Sequence, residues 1–314
     1  MPIAKVIADT PLDDVVKGLM GRDIEILPWE AARERREDVA GIYTYGHPLV
    51  DGEMLDRLPG VKVVSNYGVG VDHIDLKAAA ARGIPVGNTP GILDGATADL
   101  GFALLLAAGR RLVEGDRYAR GPEFLRYDPG YMLGREIHGA TLGIVGLGRI
   151  GKQVAKRARG FDMSVLYHNR RRDEEAEKSL DVRYAFFDEL LGAADFVMLC
   201  CPLTAETRGI INAKSLAKMK QTAILINLAR GPVVDTAALT EALAQRQIYA
   251  AGLDVTDPEP LPRDHPLLKL DNVTIAPHLG SATVQTRTMM AERSVENLRL
   301  GLAGERLKWQ VTGK

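Results

Sequence analysis

The sequence predicts an α/β protein of two doubly wound parallel-sheet domains with an active-site cleft between them. Three observations carry this. Residues 1–94 alternate short apolar strands with helical stretches, the pattern of a parallel sheet. The same alternation resumes after residue 141. Between the two regions, Gly143-Ile144-Val145-Gly146-Leu147-Gly148-Arg149-Ile150-Gly151 sets three glycines where a first strand turns into a first helix. Residues 1–142 precede that turn and must build something else.

Taken in order, strands are expected at residues 4–8, 24–27, 41–44, 61–65 and near 85–87, with helices at 11–19 and 52–57. Residues 97–118 read as one long helix, apolar nearly all round in its middle. That suits a helix linking domains and packing on a partner subunit, or the central helix of one large core. Residues 152–159 form an amphipathic pattern and 163–167 a second strand, completing a βαβ opening. Strands at 195–200, 223–227, 250–254 and 273–276 follow, with helices at 187–192, 213–219 and 235–245, giving about six parallel strands. A closing helix at 283–302 is expected to return to the first domain. The expected division is 1–95, completed by 284–314, as a flavodoxin-like substrate domain, and 96–283 as a Rossmann cofactor domain.

Composition narrows the class. With 314 residues, the length suits two domains. A net charge of −1, with no isolated basic block, gives no footprint for nucleic acid. The longest apolar stretch, residues 100–109, is too short to span a bilayer, and the first residues carry no signal-peptide pattern. A cytoplasmic location is therefore expected. The two cysteines, Cys200 and Cys201, are neighbours, which bridge only with strain, so reduced thiols are expected. No metal-ligand spacing occurs, and no metal is expected.

The glycines point to a dinucleotide. Gly146 makes the tight turn, Gly148 admits a pyrophosphate, and Gly151 lets helix pack on strand. The pyrophosphate then meets the helix N-terminus at Arg149 and Ile150. The second strand ends Tyr167-His168-Asn169-Arg170-Arg171-Arg172, with no acid to bond ribose hydroxyls. Asn169, Arg170 and Arg171 suit a 2′-phosphate, so NADP(H) is expected in preference to NAD(H). A solvated basic loop balanced by Asp173, Glu174, Glu175 and Glu177 is the alternative.

Ligands in such sheets bind beyond the strands' carboxyl ends. There stand Cys201-Pro202-Leu203, Leu228-Ala229-Arg230-Gly231, Asp254 and Pro277-His278, with Gly280 nearby. Arg230 can bind a substrate carboxylate. His278 can protonate the oxygen of a 2-oxo acid as hydride reaches its carbon. Glu259, between Pro258 and Pro260, can hold the His278 tautomer. In the first domain, Asn66-Tyr67-Gly68-Val69-Gly70-Val71-Asp72 follows a strand and can form an anion nest; a plain tight turn explains the glycines equally well.

These residues together resemble the D-2-hydroxyacid dehydrogenase family over essentially the whole chain. The pieces that carry the resemblance include Val69-Gly70-Val71-Asp72-His73-Ile74-Asp75, Asn88-Thr89-Pro90, Asn227-Leu228-Ala229-Arg230-Gly231, Gly252-Leu253-Asp254-Val255 and Pro277-His278-Leu279-Gly280-Ser281. Residues 256–262 and 265–268 look most like the glyoxylate/hydroxypyruvate reductases. Residues 161–170 are similar also to NADPH-dependent hydroxyphenylpyruvate reductases. The resemblance implies that Arg230, Glu259 and His278 are catalytic and that the Val69 and Gly70 amides hold the substrate carboxylate. It implies Asp254 at the nicotinamide, and adds Thr207 to the cofactor contacts with Cys201, Pro202, Leu228, Ala229 and Gly280. It also implies a homodimer, into whose neighbouring site Tyr127 or Tyr131 reaches. Tyr45 would flank the substrate side chain, and it is bulkier than a small oxo acid calls for. The expected reaction is reduction of glyoxylate, hydroxypyruvate or a similar 2-oxo acid to the (R)-2-hydroxy acid. Hydroxyphenylpyruvate and 2-ketogluconate are alternative substrates, and a nucleotide-sensing transcriptional corepressor is the alternative of another class.

Overall fold

The computed structural model of the protein describes residues 3–9 and 11–311. The chain divides into two compact units, Met1–Leu93 with Thr283–Lys314, and Asp94–Ala282.

The first unit holds a parallel sheet of β1 (Ala4–Ala8), β2 (Ile24–Pro28), β3 (Val39–Thr44), β4 (Val63–Asn66) and β5 (Val86–Gly87). Their order, β2-β1-β3-β4-β5, is the flavodoxin-like arrangement. The strands read as unbroken apolar runs because helices cover the sheet: Val6, Ile7, Val63 and Val64 are fully buried. The closing helix Val284–Leu302 packs on this sheet. Its Ser294 hydroxyl meets the Tyr43 hydroxyl at 2.8 Å and its Ser294 carbonyl accepts the Ser65 hydroxyl at 2.6 Å.

The second unit holds β6 (Thr141–Val145), β7 (Ser164–His168), β8 (Val182–Tyr184), β9 (Phe196–Leu199), β10 (Ile224–Asn227), β11 (Ala250–Leu253) and β12 (Val273–Ile275). The order β12-β11-β10-β9-β6-β7-β8, all parallel, places the reversal between β6 and β9. This is the doubly wound dinucleotide topology. It has seven strands; the three-residue edge strand β8 has no apolar run to announce it. Two apolar layers cover its faces, one around Leu190, Leu225 and Leu239 and the other around Phe102, Ile144 and Val154.

The single helix expected over 97–118 is in fact two, Asp94–Gly109 and Leu112–Arg120. Arg111 adopts a left-handed φ of 52°, and its guanidinium forks onto Glu114 at 2.8 and 2.6 Å. The Gly109 carbonyl accepts the N–H of Arg135 at 2.7 Å, so a distant segment takes over the end of the first helix. Among the described residues, no helix is long and apolar enough to cross a membrane.

Candidate active site

The chain leaves β6 at Val145 and turns at Gly146, whose φ of 100° suits glycine. A Cβ there would stand 2.6 Å from the Cys201 nitrogen, and one on Gly151 would stand 2.3 Å from the Gly146 carbonyl oxygen. Nothing lies within 4 Å of a Cβ built on Gly148. That residue caps the helix Arg149–Ala158 without a side-chain hydrogen bond. The turn is thus closed behind and open in front, with first-turn N–H groups left uncapped by side chains. These features fit a dinucleotide pyrophosphate.

Beside this turn, the loop after β9 begins at Cys200, whose N–H donates to the Val145 carbonyl at 2.8 Å. Burial pushes the Cys201 thiol up to about 11 and raises that of Cys200 as well, so both are poor nucleophiles. Both are free of disulfides. Thr207 closes the loop by donating to the Pro202 carbonyl at 2.6 Å and accepting the Thr204 N–H at 2.8 Å. Leu228 and Ala229 are buried after β10. The Leu228 side chain lies against Gly101, where a Cβ would meet it at 2.5 Å, and its N–H donates to the Leu199 carbonyl at 3.1 Å.

After β7, the Asn169 side-chain oxygen accepts the Leu147 N–H at 2.7 Å. That fixes the amide with its NH₂ as the end available to an acceptor. Arg170 and Arg171 are exposed, and among the described residues neither makes a salt bridge. Arg172 instead pairs with Glu177 through two bonds of 2.7 and 2.6 Å.

The acid/base candidates gather at the ends of β11 and β12. His278 Nδ1 lies 2.8 Å from Glu259 Oε1. His278 has a left-handed φ of 55°, and its N–H donates to the Asp254 carbonyl at 2.9 Å. The Asp254 carboxylate accepts the N–H of Leu279 at 2.6 Å and that of Gly280 at 2.9 Å. A Cβ at Gly280 would sit 2.9 Å from that carboxylate, which is why the position is glycine. Burial raises the Asp254 carboxyl above 3.8, while the Leu279 N–H, His278 and the Gly280 N–H draw it back. Strand-end placement put Asp254 among the candidates, but its clamp on the His278 turn becomes visible only once β11 and β12 pair in register.

Arg230 follows β10. Its Nη1 donates to the Ala229 carbonyl at 3.0 Å, and Asn227 Nδ2 donates to the Arg230 carbonyl at 3.0 Å. The backbone of Gly231 presses on the Thr256 carbonyl, where a Cβ would stand 1.9 Å away. Arg230 is thereby set next to the segment that carries Glu259.

Val69, Gly70 and Tyr45 lie in the first unit. Asn66 donates through Nδ2 to the carbonyls of Gly68 and Gly70, at 3.0 and 2.9 Å. Asn88 Nδ2 donates to the Val69 carbonyl at 2.9 Å. With these carbonyls tied down, the Val69 and Gly70 N–H groups make no hydrogen bond among the described residues. Two consecutive unengaged N–H groups are the donors an anion nest uses. The Tyr45 hydroxyl donates to Asp13 at 2.9 Å, and its ring centroid lies 4.6 Å from that of Tyr67. Burial and the Asp13 carboxylate push its phenol up to about 12. Tyr45 is thus a fixed, neutral apolar face.

A glycine-built pyrophosphate cradle on a doubly wound sheet, with an imidazole–carboxylate pair beyond the same strand ends, is the frame of a dinucleotide-dependent oxidoreductase. Residues 102–280 match the family described as D-isomer specific 2-hydroxyacid dehydrogenase, NAD binding domain. The glyoxylate reductase of Korarchaeum cryptofilum is 50% identical over 266 residues, covering 84% of this chain and 80% of that one. The glyoxylate reductase of Pyrococcus horikoshii is 45% identical over 291 residues, covering 91% and 87%. An NADPH-dependent glyoxylate/hydroxypyruvate reductase from Sinorhizobium meliloti, solved with NADP and malonate, superposes with a TM-score of 0.88. It is 32% identical and covers 99% of this chain and 97% of that one. The chain belongs to the D-isomer specific 2-hydroxyacid dehydrogenases.

Proposed function

We propose that the protein is an NADPH-dependent reductase of a small 2-oxo acid, glyoxylate or hydroxypyruvate, producing the (R)-2-hydroxy acid. The observation that carries this reading is the 2.8 Å pair of His278 Nδ1 and Glu259 Oε1 at the carboxyl edge of the cofactor sheet. Likeness to reductases of these substrates supports it.

Arg230 binds the substrate carboxylate through its guanidinium and orients the adjacent carbonyl. The Val69 and Gly70 N–H groups are neutral donors suited to a carboxylate. With Nδ1–H donating to Glu259, the proton that moves is the one on His278 Nε2. His278 gives it to the carbonyl oxygen as hydride arrives at the carbon, so no alkoxide accumulates. The reduced nicotinamide, when bound, supplies that hydride. Gly146, Gly148 and Gly151, with the Arg149 and Ile150 amides, hold the pyrophosphate. Asn169, Arg170 and Arg171 meet the 2′-phosphate, which favours NADPH over NADH. Tyr45, with its hydroxyl on Asp13, limits the substrate side chain by bulk.

The reading includes a homodimer. Leu112, Phe124, Leu125, Tyr127 and Leu133 are large apolar side chains left exposed on the Asp94–Ala282 unit, which supports a partner there.

Initial rates test the proposal. NADPH and NADH are compared with glyoxylate, hydroxypyruvate, hydroxyphenylpyruvate and 2-ketogluconate. Turnover with NADPH on glyoxylate or hydroxypyruvate is expected. Turnover only on one of the larger acids would reassign the substrate, and an equal rate with NADH would remove the cofactor preference.

A further inference from the structure

The loop that follows β7 is fixed at both ends. At its start, Asn169 is held by the Leu147 N–H at 2.7 Å. At its end, the Asp173 side chain caps the helix Glu174–Leu180 by accepting the Ala176 N–H at 2.9 Å, and it pairs with Lys152 at 2.8 Å. Beneath the loop, one carboxylate joins three other contacts. Glu177 Oε1 accepts the Tyr167 hydroxyl and Arg172 Nε, both at 2.7 Å, and Oε2 accepts Arg172 Nη2 at 2.6 Å. The same Tyr167 hydroxyl accepts the Asp173 N–H at 2.7 Å. Tyr167 is fully buried, and the Glu177 side chain is only 14% exposed. All three consecutive arginines reach solvent, but Arg172 is tied down as a strut, whereas Arg170 and Arg171 make no salt bridge among the described residues.

We propose that Glu177 is a positioning residue for cofactor choice: by holding Arg172 and the Tyr167 hydroxyl, it sets the loop so that Asn169, Arg170 and Arg171 converge on a 2′-phosphate. The proposal rests on the NADPH reading above. A bidentate guanidinium–carboxylate pair fixes direction as well as distance, so its loss frees the loop end rather than merely weakening it. Glu177 touches no ligand in this scheme. Its influence is confined to the phosphate, and the glycine cradle is untouched.

Calorimetric titration of the intact protein with NADPH, NADH and adenosine 2′,5′-bisphosphate tests this. Wild type is expected to bind NADPH more tightly than NADH. Glu177→Gln is expected to lower the ratio of the NADH to the NADPH dissociation constant about tenfold, the scale of one charge-assisted hydrogen bond. Binding of adenosine 2′,5′-bisphosphate should weaken alongside, while NADH binding stays unchanged and shows the fold intact. Tyr167→Phe, which removes only the hydroxyl, is expected to move the ratio the same way. A wild-type ratio near one would overturn the NADPH reading and this proposal together. A high wild-type ratio that both variants leave unchanged would overturn this proposal alone. So would tighter NADPH binding by Glu177→Gln, because Arg172 would then be a phosphate ligand restrained by Glu177.

Discussion

Asp254→Asn separates two ways in which this residue can act. In the structure its carboxylate takes two backbone N–H groups, those of Leu279 and Gly280, while its carbonyl takes the N–H of His278. An asparagine of the same shape offers one oxygen and one NH₂. One of the two N–H groups then faces another donor, at a cost of about 1–3 kcal/mol. The backbone of His278 already has a left-handed φ of 55°, so the turn is free to relax by moving the imbalance onto that residue. At 1.36 kcal/mol per decade, that cost corresponds to roughly a 5- to 160-fold loss of kcat if His278 leaves its working position. Stability is expected to change less, because the substitution also removes the burial penalty on the carboxylate.

Steady-state kinetics, nucleotide titration and thermal unfolding together read the outcome. A fall in kcat with the NADPH dissociation constant preserved is expected, since the clamp acts on the His278 turn. A weakened NADPH constant with kcat preserved would refute this and leave Asp254 as a cofactor contact. The pH dependence carries a sign. The Asp254 carboxyl is raised above 3.8, chiefly by burial, so the folded protein binds that proton more tightly than the unfolded chain. Its contribution is present below pH 3.8 and is lost as pH rises through the raised folded value. The difference in melting temperature between variant and wild type should therefore shift in favour of Asp254→Asn across that window. A pH-independent difference would contradict the argument.

His278→Gln is expected to lower turnover by about 10²–10⁴-fold with NADPH binding unchanged; near-full activity would remove His278 as the acid. Asn169→Asp with Arg170→Ala should reverse the cofactor preference toward NADH in paired kcat/KM measurements, and an unchanged ratio would place phosphate recognition elsewhere. Light scattering at micromolar concentration should give twice the chain mass, and Leu125→Asp with Tyr127→Ser should halve it. A monomeric wild type would leave that apolar strip without the proposed partner.

The fold was legible because its two signals are local. Glycines at turns and apolar runs of strand length mark a parallel sheet before any contact is known. What stayed hidden depended on distant residues. The break at Arg111 involves a non-glycine in the left-handed region and a carbonyl taken by Arg135, neither visible in helical periodicity. β8 is three residues at an edge, too short for a pattern. Within the site, a Glu259–His278 pair was expected because Pro258 and Pro260 stiffen the loop that carries the carboxylate and the imidazole needs a partner to fix its tautomer. The Asp254 clamp was not, because it depends on the register that pairs Gly252 with Thr274 and Leu253 with Ile275. The arginine cluster was half legible: its place after the strand singled out Arg170 and Arg171, but the Glu177 pair that holds Arg172 aside was hidden.

Sheet order also determines which of these parts can influence one another. The loop proposed to read the cofactor's phosphate follows β7, and the His278 turn follows β12, with β6, β9, β10 and β11 between them. At about 4.8 Å per strand, the two strand ends are roughly 24 Å apart. Substitutions separated by more than about 10 Å without shared partners are usually additive. Glu259→Gln combined with Asn169→Asp and Arg170→Ala should therefore show the product of the separate effects on kcat/KM. The cofactor ratio should be the same whether residue 259 is Glu or Gln. A combined loss far from that product would mean that nucleotide identity reaches the acid/base pair, and the rigid sheet between them would be the element to question. Agreement would mean that cofactor choice and proton transfer are separate devices on opposite halves of one sheet, free to change independently.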